Sequence, residues 1–346
     1  MSGVPRCREW TDAWFDALYG PGGFFARGER PAGHFRTAPL VGPELAEALL
    51  ELLRRVDTAL GHPATLDFVD VGAGGGELAG TVRALATGEL GRRLRVSAVD
   101  LAPPPDTAPG VRWLAEPPER VAGLLVGHEW LDAVPCPVVT RCGPRWHRVL
   151  VNPSGAEAVG DPVDSGAATW LRRWWPRTAE GERAEAGITR DAAWAGAVAA
   201  VRAGAALAVD YGHLLADRAA GRYPAGTLTG YRHGRQLPPV PDGSRDLTAH
   251  VALDACAAAA EATGTVTGTV LVAQRDALAA LGLTADTPAA GLAGADPMAW
   301  LDASWRAGRV AELRAPGGLG AFGWLLQTTG GVPVADLLPP LPPWRP

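Results

Sequence analysis

Leu66-Asp67-Phe68-Val69-Asp70-Val71-Gly72-Ala73-Gly74-Gly75-Gly76-Glu77 is the stretch whose reading decides the fold. An apolar run ends in an aspartate, a glycine loop follows at once, and a helical pattern comes after it. That order predicts a buried strand, a turn whose backbone can approach a ligand closely, and a helix whose free amides open on it. The glycines stand at 72, 74, 75 and 76. A dinucleotide fingerprint needs glycine where Glu77 stands, which disfavours a nicotinamide dehydrogenase.

Outward from the loop, strands alternate with helices. Pro43-Glu44 opens an amphipathic helix with Leu45, Leu49, Leu52, Leu53 and Val56 on one face. After the first strand (65–71) come a helix near 76–87 and strands at 94–99, 110–114, 123–127 and 205–209. The expected fold is α/β, a Rossmann-like core with a mostly parallel sheet and helices on both faces. An N-terminal helical or lid segment (1–60) precedes the core (62–139 and 201–328), and a hairpin-helical subdomain (140–200) is inserted into it. In that insert, Trp170, Trp174 and Trp175 are expected to pack a small core, whose apolar surface could also serve a homodimer. Residues 214–250 read as a long loop. Late strands are expected at 266–272 and 321–326, and residues 329–346 read as an unstructured, proline-rich tail.

Composition narrows the chemistry. The 346 residues leave room for two domains, 47% are hydrophobic, and the net charge is −5, so no broad nucleic-acid footprint is expected. The chain contains no lysine, which excludes a P-loop and a Schiff-base nucleophile. Cys7, Cys136, Cys142 and Cys256 form no CxxC pair and lack histidines at zinc spacing, so no metal is expected. Without a leader pattern or an apolar run long enough to span a bilayer, the expectation is a soluble cytoplasmic protein with no membrane insertion.

The polar residues singled out fall at strand ends, where open α/β sheets bind ligands. Asp70, Gly72, Gly74 and Gly76 lie in the loop. Asp100, followed by Leu101, ends the second strand, where an acid can accept ribose hydroxyls, and Glu116 ends the third near a presumptive adenine. Asp-x-Gly-x-Gly-x-Gly fits the S-adenosylmethionine loop of Rossmann-like methyltransferases, so S-adenosyl-L-methionine is the expected cofactor. Past the fourth strand lies His128-Glu129-Trp130-Leu131-Asp132. Glu129 and Asp132 share a face if a helical turn starts there. A carboxylate can hold a planar guanidinium by paired hydrogen bonds and take up charge as a bond to one nitrogen forms. Glu129 suits that role, with Asp132 and His128 beside it.

In this order the motifs resemble the MidA family of methyltransferases, whose mitochondrial member is an arginine methyltransferase needed for respiratory complex I assembly. Gly33-His34-Phe35-Arg36-Thr37-Ala38-Pro39 is similar to the family's Gly-Asp-Phe-x-Thr-x-Pro. Asp70 to Leu78 is similar to its Glu-Leu-Gly-Pro-Gly-x-Gly-Thr-Leu loop, and His128 to Pro135 to its Asn/His-Glu-Phe-Phe-Asp-x-Leu-Pro. Val209-Asp210-Tyr211-Gly212-His213, Gly226 to His233 and Gly243-Ser244-Arg245-Asp246-Leu247-Thr248-Ala249 match further family segments. The resemblance implies S-adenosylmethionine as cofactor and, for some members, a protein arginine as acceptor. It also implies substrate or lid roles for His34, Phe35, Thr37, Pro39, Asp210, Tyr211, His213 and Asp246. Departures cluster on the acceptor side. His34 replaces an aspartate, Leu40 an acid (with Glu44 nearby), and Ala252 a further aspartate; Ala73 replaces the loop proline. The rival expectation is therefore a cofactor-binding assembly factor with little turnover.

Overall fold

The computed structural model describes residues 7–29, 37–102 and 109–346. His34 and Phe35 lie outside the described residues. Two compact units emerge, residues 36–128, 200–209 and 265–346 in one and residues 1–35, 129–199 and 210–264 in the other.

The first unit is built on a seven-stranded sheet. Its strands are β1 (Leu66–Val71), β2 (Leu94–Val99), β3 (Val111–Leu114), β4 (Val121–His128), β5 (Val201–Asp210), β6 (Val266–Ala273) and β7 (Gly323–Thr329). They are ordered 3-2-1-4-5-7-6. β1 runs parallel to β2 and β4, β2 to β3 and β4 to β5, whereas β6 and β7 are antiparallel. The order reverses between β1 and β4, the switch point at which such sheets bind ligands beyond their carboxyl ends. Strands β1 and β4 are buried along nearly their whole length, on both faces. Helix α1 (Glu44–Ala59) buries Leu45, Leu49, Leu52, Leu53 and Val56 completely. Each such side chain contributes about 1.5–3 kcal/mol by leaving water.

Two expectations here need correction. The last strand begins at Gly323 and continues to Thr329, because Leu319–Ala321 forms a 3₁₀ turn instead. Its polar end is buried but satisfied: Thr329 Oγ1 donates to the Val201 carbonyl and Gln327 Nε2 to Thr269 Oγ1. The proline-rich tail is ordered. Val334–Leu337 is helical, Leu337, Leu338 and Trp344 are buried, and Trp344 Nε1 donates to the Ala321 carbonyl. Prolines forbid regular pairing, but they leave the apolar side chains between them free to dock on the sheet.

The second unit carries an antiparallel sheet of Arg8–Glu9, Val138–Cys142, Arg145–Val151, Glu157–Pro162 and Arg183–Glu185. The hairpin in the insert thus joins 138–142 to 145–151, turning at Gly143 with φ 54°, and does not lie within 145–151. Tryptophans fill this unit as expected: Trp146, Trp170 and Trp175 pack with Leu171 and Val139, and Trp10 and Trp14 with Leu18 and Leu247. Each buried indole needs a partner, and Trp170 Nε1 donates to Asp191 at 2.7 Å. The 214–250 region, expected as loop, holds a helix (Leu215–Ala219) and a three-stranded sheet of Thr229–Arg232, Arg235–Leu237 and Asp246–Thr248. Those strands are too short for alternation to be visible. Their hairpin turns through His233 and Gly234, both at positive φ.

Candidate functional site

Each unit holds one constellation of functional side chains. In the sheet unit, the turn after β1 passes through Gly72, Gly74 and Gly76 at φ 71°, 56° and 76°. L-residues pay a penalty there and glycine does not. A Cβ at Gly74 would meet nothing within 4 Å, so the loop leaves open space where a ligand would lie; at Gly76 it would meet the Trp113 ring at 3.1 Å. Helix α2 (Glu77–Leu85) starts directly after the turn. Asp100 follows β2. One of its carboxylate oxygens accepts from the Gly74 amide and the other from Ala102, both at 2.8 Å. Asp100 therefore shapes the glycine turn, a role that its position alone did not reveal.

Asp70 is buried, and its Oδ2 has no hydrogen-bond partner among the described residues. Burial pushes its carboxyl up to about 7, against the Ala79 amide that favours the anion, while Asp100 and Glu77 repel a second negative charge. An orphaned buried acid beside a glycine cradle fits the ammonium end of S-adenosylmethionine. Ammonium binding favours ionised Asp70, so affinity for S-adenosylhomocysteine should rise between pH 6 and pH 8. Calorimetric titration across that range checks this, and Asp70→Asn should flatten the rise. The linked stability effect has the opposite sign. The folded group holds its proton at pH values where the unfolded one (near 3.8) has lost it, so from about pH 4 to 7 Asp70 lowers stability as pH rises.

Other expected residues are placed less tellingly. Leu101 is 63% exposed, and Glu116 is exposed after β3. Thr37 and Pro39 open the short helix Ala38–Val41, in which the Leu40 amide bonds the Thr37 carbonyl. Glu44 cannot substitute for the acid missing at Leu40. It is fully buried, doubly bonded to Arg309 at 2.7–3.0 Å, and has Arg306 at 3.6 Å. His128 ends β4, where burial lowers its pKa to about 4 and keeps the imidazole neutral.

In the second unit, Glu129 follows His128 with φ 48°, a left-handed backbone that costs a non-glycine residue about 1–3 kcal/mol. The turn beyond it is a 3₁₀ helix, Leu131–Ala133, so Glu129 and Asp132 do not share a helical face as expected. Tertiary contacts gather the acids instead. One Asp210 carboxylate oxygen accepts from the Leu131 amide at 3.0 Å and the Asp132 amide at 3.2 Å, while the other accepts from the Tyr211 amide at 3.1 Å. Asp210 thus acts as the cap of the Asp132 turn. The Tyr211 hydroxyl donates to Asp132 Oδ2. Asp246, in strand Asp246–Thr248, is buried and stands opposite Tyr231 in the sheet.

Burial raises the carboxyl pKa at all three aspartates. At Asp210 it is reinforced by Asp132 and Glu129, and at Asp246 by Asp132. At Asp132 burial outweighs the Tyr211 hydrogen bond and the nearby Arg190. Crowded buried carboxyls resist simultaneous ionisation, and an incoming cation relieves that resistance. His213 stands apart from the acids. Its Nδ1 accepts from Arg218 at 2.9 Å, Arg218 pairs with Asp254 at 2.8 Å, and the ring sits among Trp175, Tyr223 and His250. The sequence reading missed Arg190, Tyr231 and Trp113. Arg190, the one basic residue in the largely apolar helix Ile188–Ala200, is the one that pattern could have flagged.

Comparison with known proteins supports the fold and the cofactor. The family model described as S-adenosyl-L-methionine-dependent methyltransferase (Methyltransf_28) matches residues 45–270. The chain is similar to a COG1565 superfamily protein of Burkholderia thailandensis solved bound to S-adenosyl-homocysteine. The two share 26% identity at a TM-score of 0.77, over 96% of this chain and 90% of that one. A native structure of a COG1565 superfamily protein from the same organism gives 27% identity and a TM-score of 0.75 over the same shares. No curated protein matches. Among the described residues no helix is long and apolar enough to cross a membrane, and no group of three or more acidic, histidine or cysteine side chains could hold a metal.

Proposed function

The chain belongs to the Methyltransf_28 family of S-adenosyl-L-methionine-dependent methyltransferases, and from that premise we propose that its acceptor is a cationic nitrogen of a protein side chain, arginine before others. The observation that carries this reading is the buried acid cluster of Asp132, Asp210 and Asp246 with Tyr211 and Glu129. A neutral acceptor gains nothing from a crowd of buried acids, whereas a guanidinium does. The MidA-like motifs supplying Glu129, Asp210 and Asp246 support the same choice.

When bound, S-adenosylmethionine supplies an electrophilic methyl group on a sulfonium. The glycine turn, Asp100 and Asp70 would hold it by main-chain approach, ribose hydroxyls and ammonium respectively. Glu129 is joined directly to the end of β4, the neighbour of the strand that carries the glycine turn. Its carboxylate would take two guanidinium N–H groups, aim one nitrogen's lone pair and receive the proton released as that nitrogen is alkylated. His128, being neutral, adds no repelling charge beside it.

The test is transfer of tritiated methyl from S-adenosylmethionine into lysate proteins of cells lacking this protein, followed by amino-acid analysis. Label should appear in methylated arginine. Label confined to another nitrogen would replace arginine as acceptor. Cofactor binding without any transfer would favour the assembly-factor reading, which the replacements at Leu40 and Ala252 motivate.

A further inference from the structure

Arg190 is almost completely buried, yet among the described residues none of its hydrogen bonds reaches a carboxylate. Nε donates to the Val134 carbonyl at 3.0 Å, Nη2 to Asp132 at 2.6 Å, and Nη1 to Ala249 at 3.0 Å and His250 at 2.9 Å. Those carbonyls belong to two segments, the turn that carries Asp132 and the chain leaving strand Asp246–Thr248. The guanidinium also lies over the Trp14 ring, 5.4 Å from its centroid. Burying a charge this way is costly, and four main-chain carbonyls alone do not neutralise it.

The structure assigns Arg190 a positioning role in methyl transfer: it is the fixed cation that pins the Asp132 turn to the Asp246 strand and biases the neighbouring carboxyls toward ionisation. This rests on the cationic-acceptor reading for its purpose, though not for its physical content. The groups facing Arg190 are Asp132 and Cys136 from the segment after β4, Asp210 and His213 from the end of β5 and the segment beyond it, Glu185 from strand Arg183–Glu185, His250 with its carbonyl, and Cys256 from helix Leu253–Glu261. Cys136 is a neutral thiol, pushed up to about 11 by burial. Asp191, next on the helix, is turned toward Trp170 and Cys256. The compensating negative charge thus comes from Asp132, Asp210 and Glu185, held near without direct pairing. Asp210 and Glu185 are held by hydrogen bonds from the Leu131, Asp132, Tyr211, Thr227 and Leu228 amides, whereas Asp132 Oδ1 has no partner among the described residues and stays available to another donor. Lysine would keep the charge, but a single ammonium cannot span four carbonyls on two segments.

The experiment follows aspartate carboxyls by ¹³C NMR through a pH titration of the full chain, using Asp132→Asn and Asp210→Asn for assignment. S-adenosylhomocysteine binding serves as the folding control. In Arg190→Gln the coupled Asp132/Asp210 transitions should move up by about one pH unit or more, a tenfold change in proton affinity, and in Arg190→Lys by much less. In turnover, Arg190→Gln should raise KM for a cationic acceptor at neutral pH and recover as pH increases. Arg190→Lys should lower kcat with little change in the pH profile. Transitions that coincide in all three proteins would overturn the proposal. Shifted transitions in a protein without methyl transfer would instead overturn the acceptor reading. If neither variant folds, acceptor-peptide calorimetry of the parent in two buffers decides. Release of less than about half a proton per peptide near pH 7.5 supports Arg190 as the resident compensating cation, and uptake or release of a whole proton refutes it.

Discussion

Glu129→Gln binds S-adenosylhomocysteine within about threefold of the parent and transfers methyl groups about 10²–10⁴-fold more slowly, the span typical for loss of a positioned general base. The amide keeps the shape of the carboxylate but presents one donor where the guanidinium needs an acceptor, and it cannot take up a proton. The cofactor groups assigned above lie in a different part of the chain, which is why binding should survive. The backbone adds an independent signature. With φ at 48°, Glu129 is held in a conformation that glycine adopts at no penalty. Glu129→Gly should therefore match or exceed the parent in thermal stability while losing turnover, the trade-off of a strained residue retained for function. Single-turnover assays with radiolabelled cofactor and melting curves separate the two effects. Turnover equal to the parent in Glu129→Gln would sink the role assigned to this side chain.

Asp100→Ala should lose affinity for S-adenosylhomocysteine by about 10²-fold, the loss expected when one or two hydrogen bonds to a charged group, each contributing about 1.5–3 kcal/mol, disappear. The carboxylate has two duties. It accepts from the Gly74 and Ala102 amides, both at 2.8 Å, and so holds the glycine turn open, and it is the acceptor proposed for the ribose. Asp100→Asn should separate them. An amide oxygen can still take the Gly74 amide, but its NH₂ group meets the Ala102 N–H donor to donor, so a smaller loss of about tenfold is expected. Calorimetric titration reads both variants, and undiminished binding in Asp100→Ala would remove Asp100 from the cofactor site.

Much of the sheet unit was legible because its signals are local. The run from Leu66 to Glu77 gives strand, turn and helix within twelve positions, and the glycines that need positive φ fall between the end of the strand and the start of the helix. Strand order was not legible, since a terminal strand entering between β5 and β6 leaves no mark on its own residues. The tail was misread for a related reason. Proline content reports only local backbone restriction, while Trp344 is ordered by a partner at Ala321. In the other unit the acids were found one motif at a time, but their assembly was not. The cap that Asp210 makes on the Asp132 turn is one contact of that assembly.

The sequence by itself determined the α/β core, the glycine turn, Asp70 and Asp100 at its strand ends, and the class of cofactor, because each depends on residues adjacent in the chain. Tertiary structure alone decided which acids share one buried environment, that Glu44 is locked by Arg309, and that Arg190 supplies the counter-charge. The physical reason is range. Backbone conformation is set by neighbours within a few residues, whereas burial and charge interaction depend on distance in space. Asp132, Arg190, Asp210 and Asp246 lie far apart in sequence and acquire their chemistry only where folding removes the water between them.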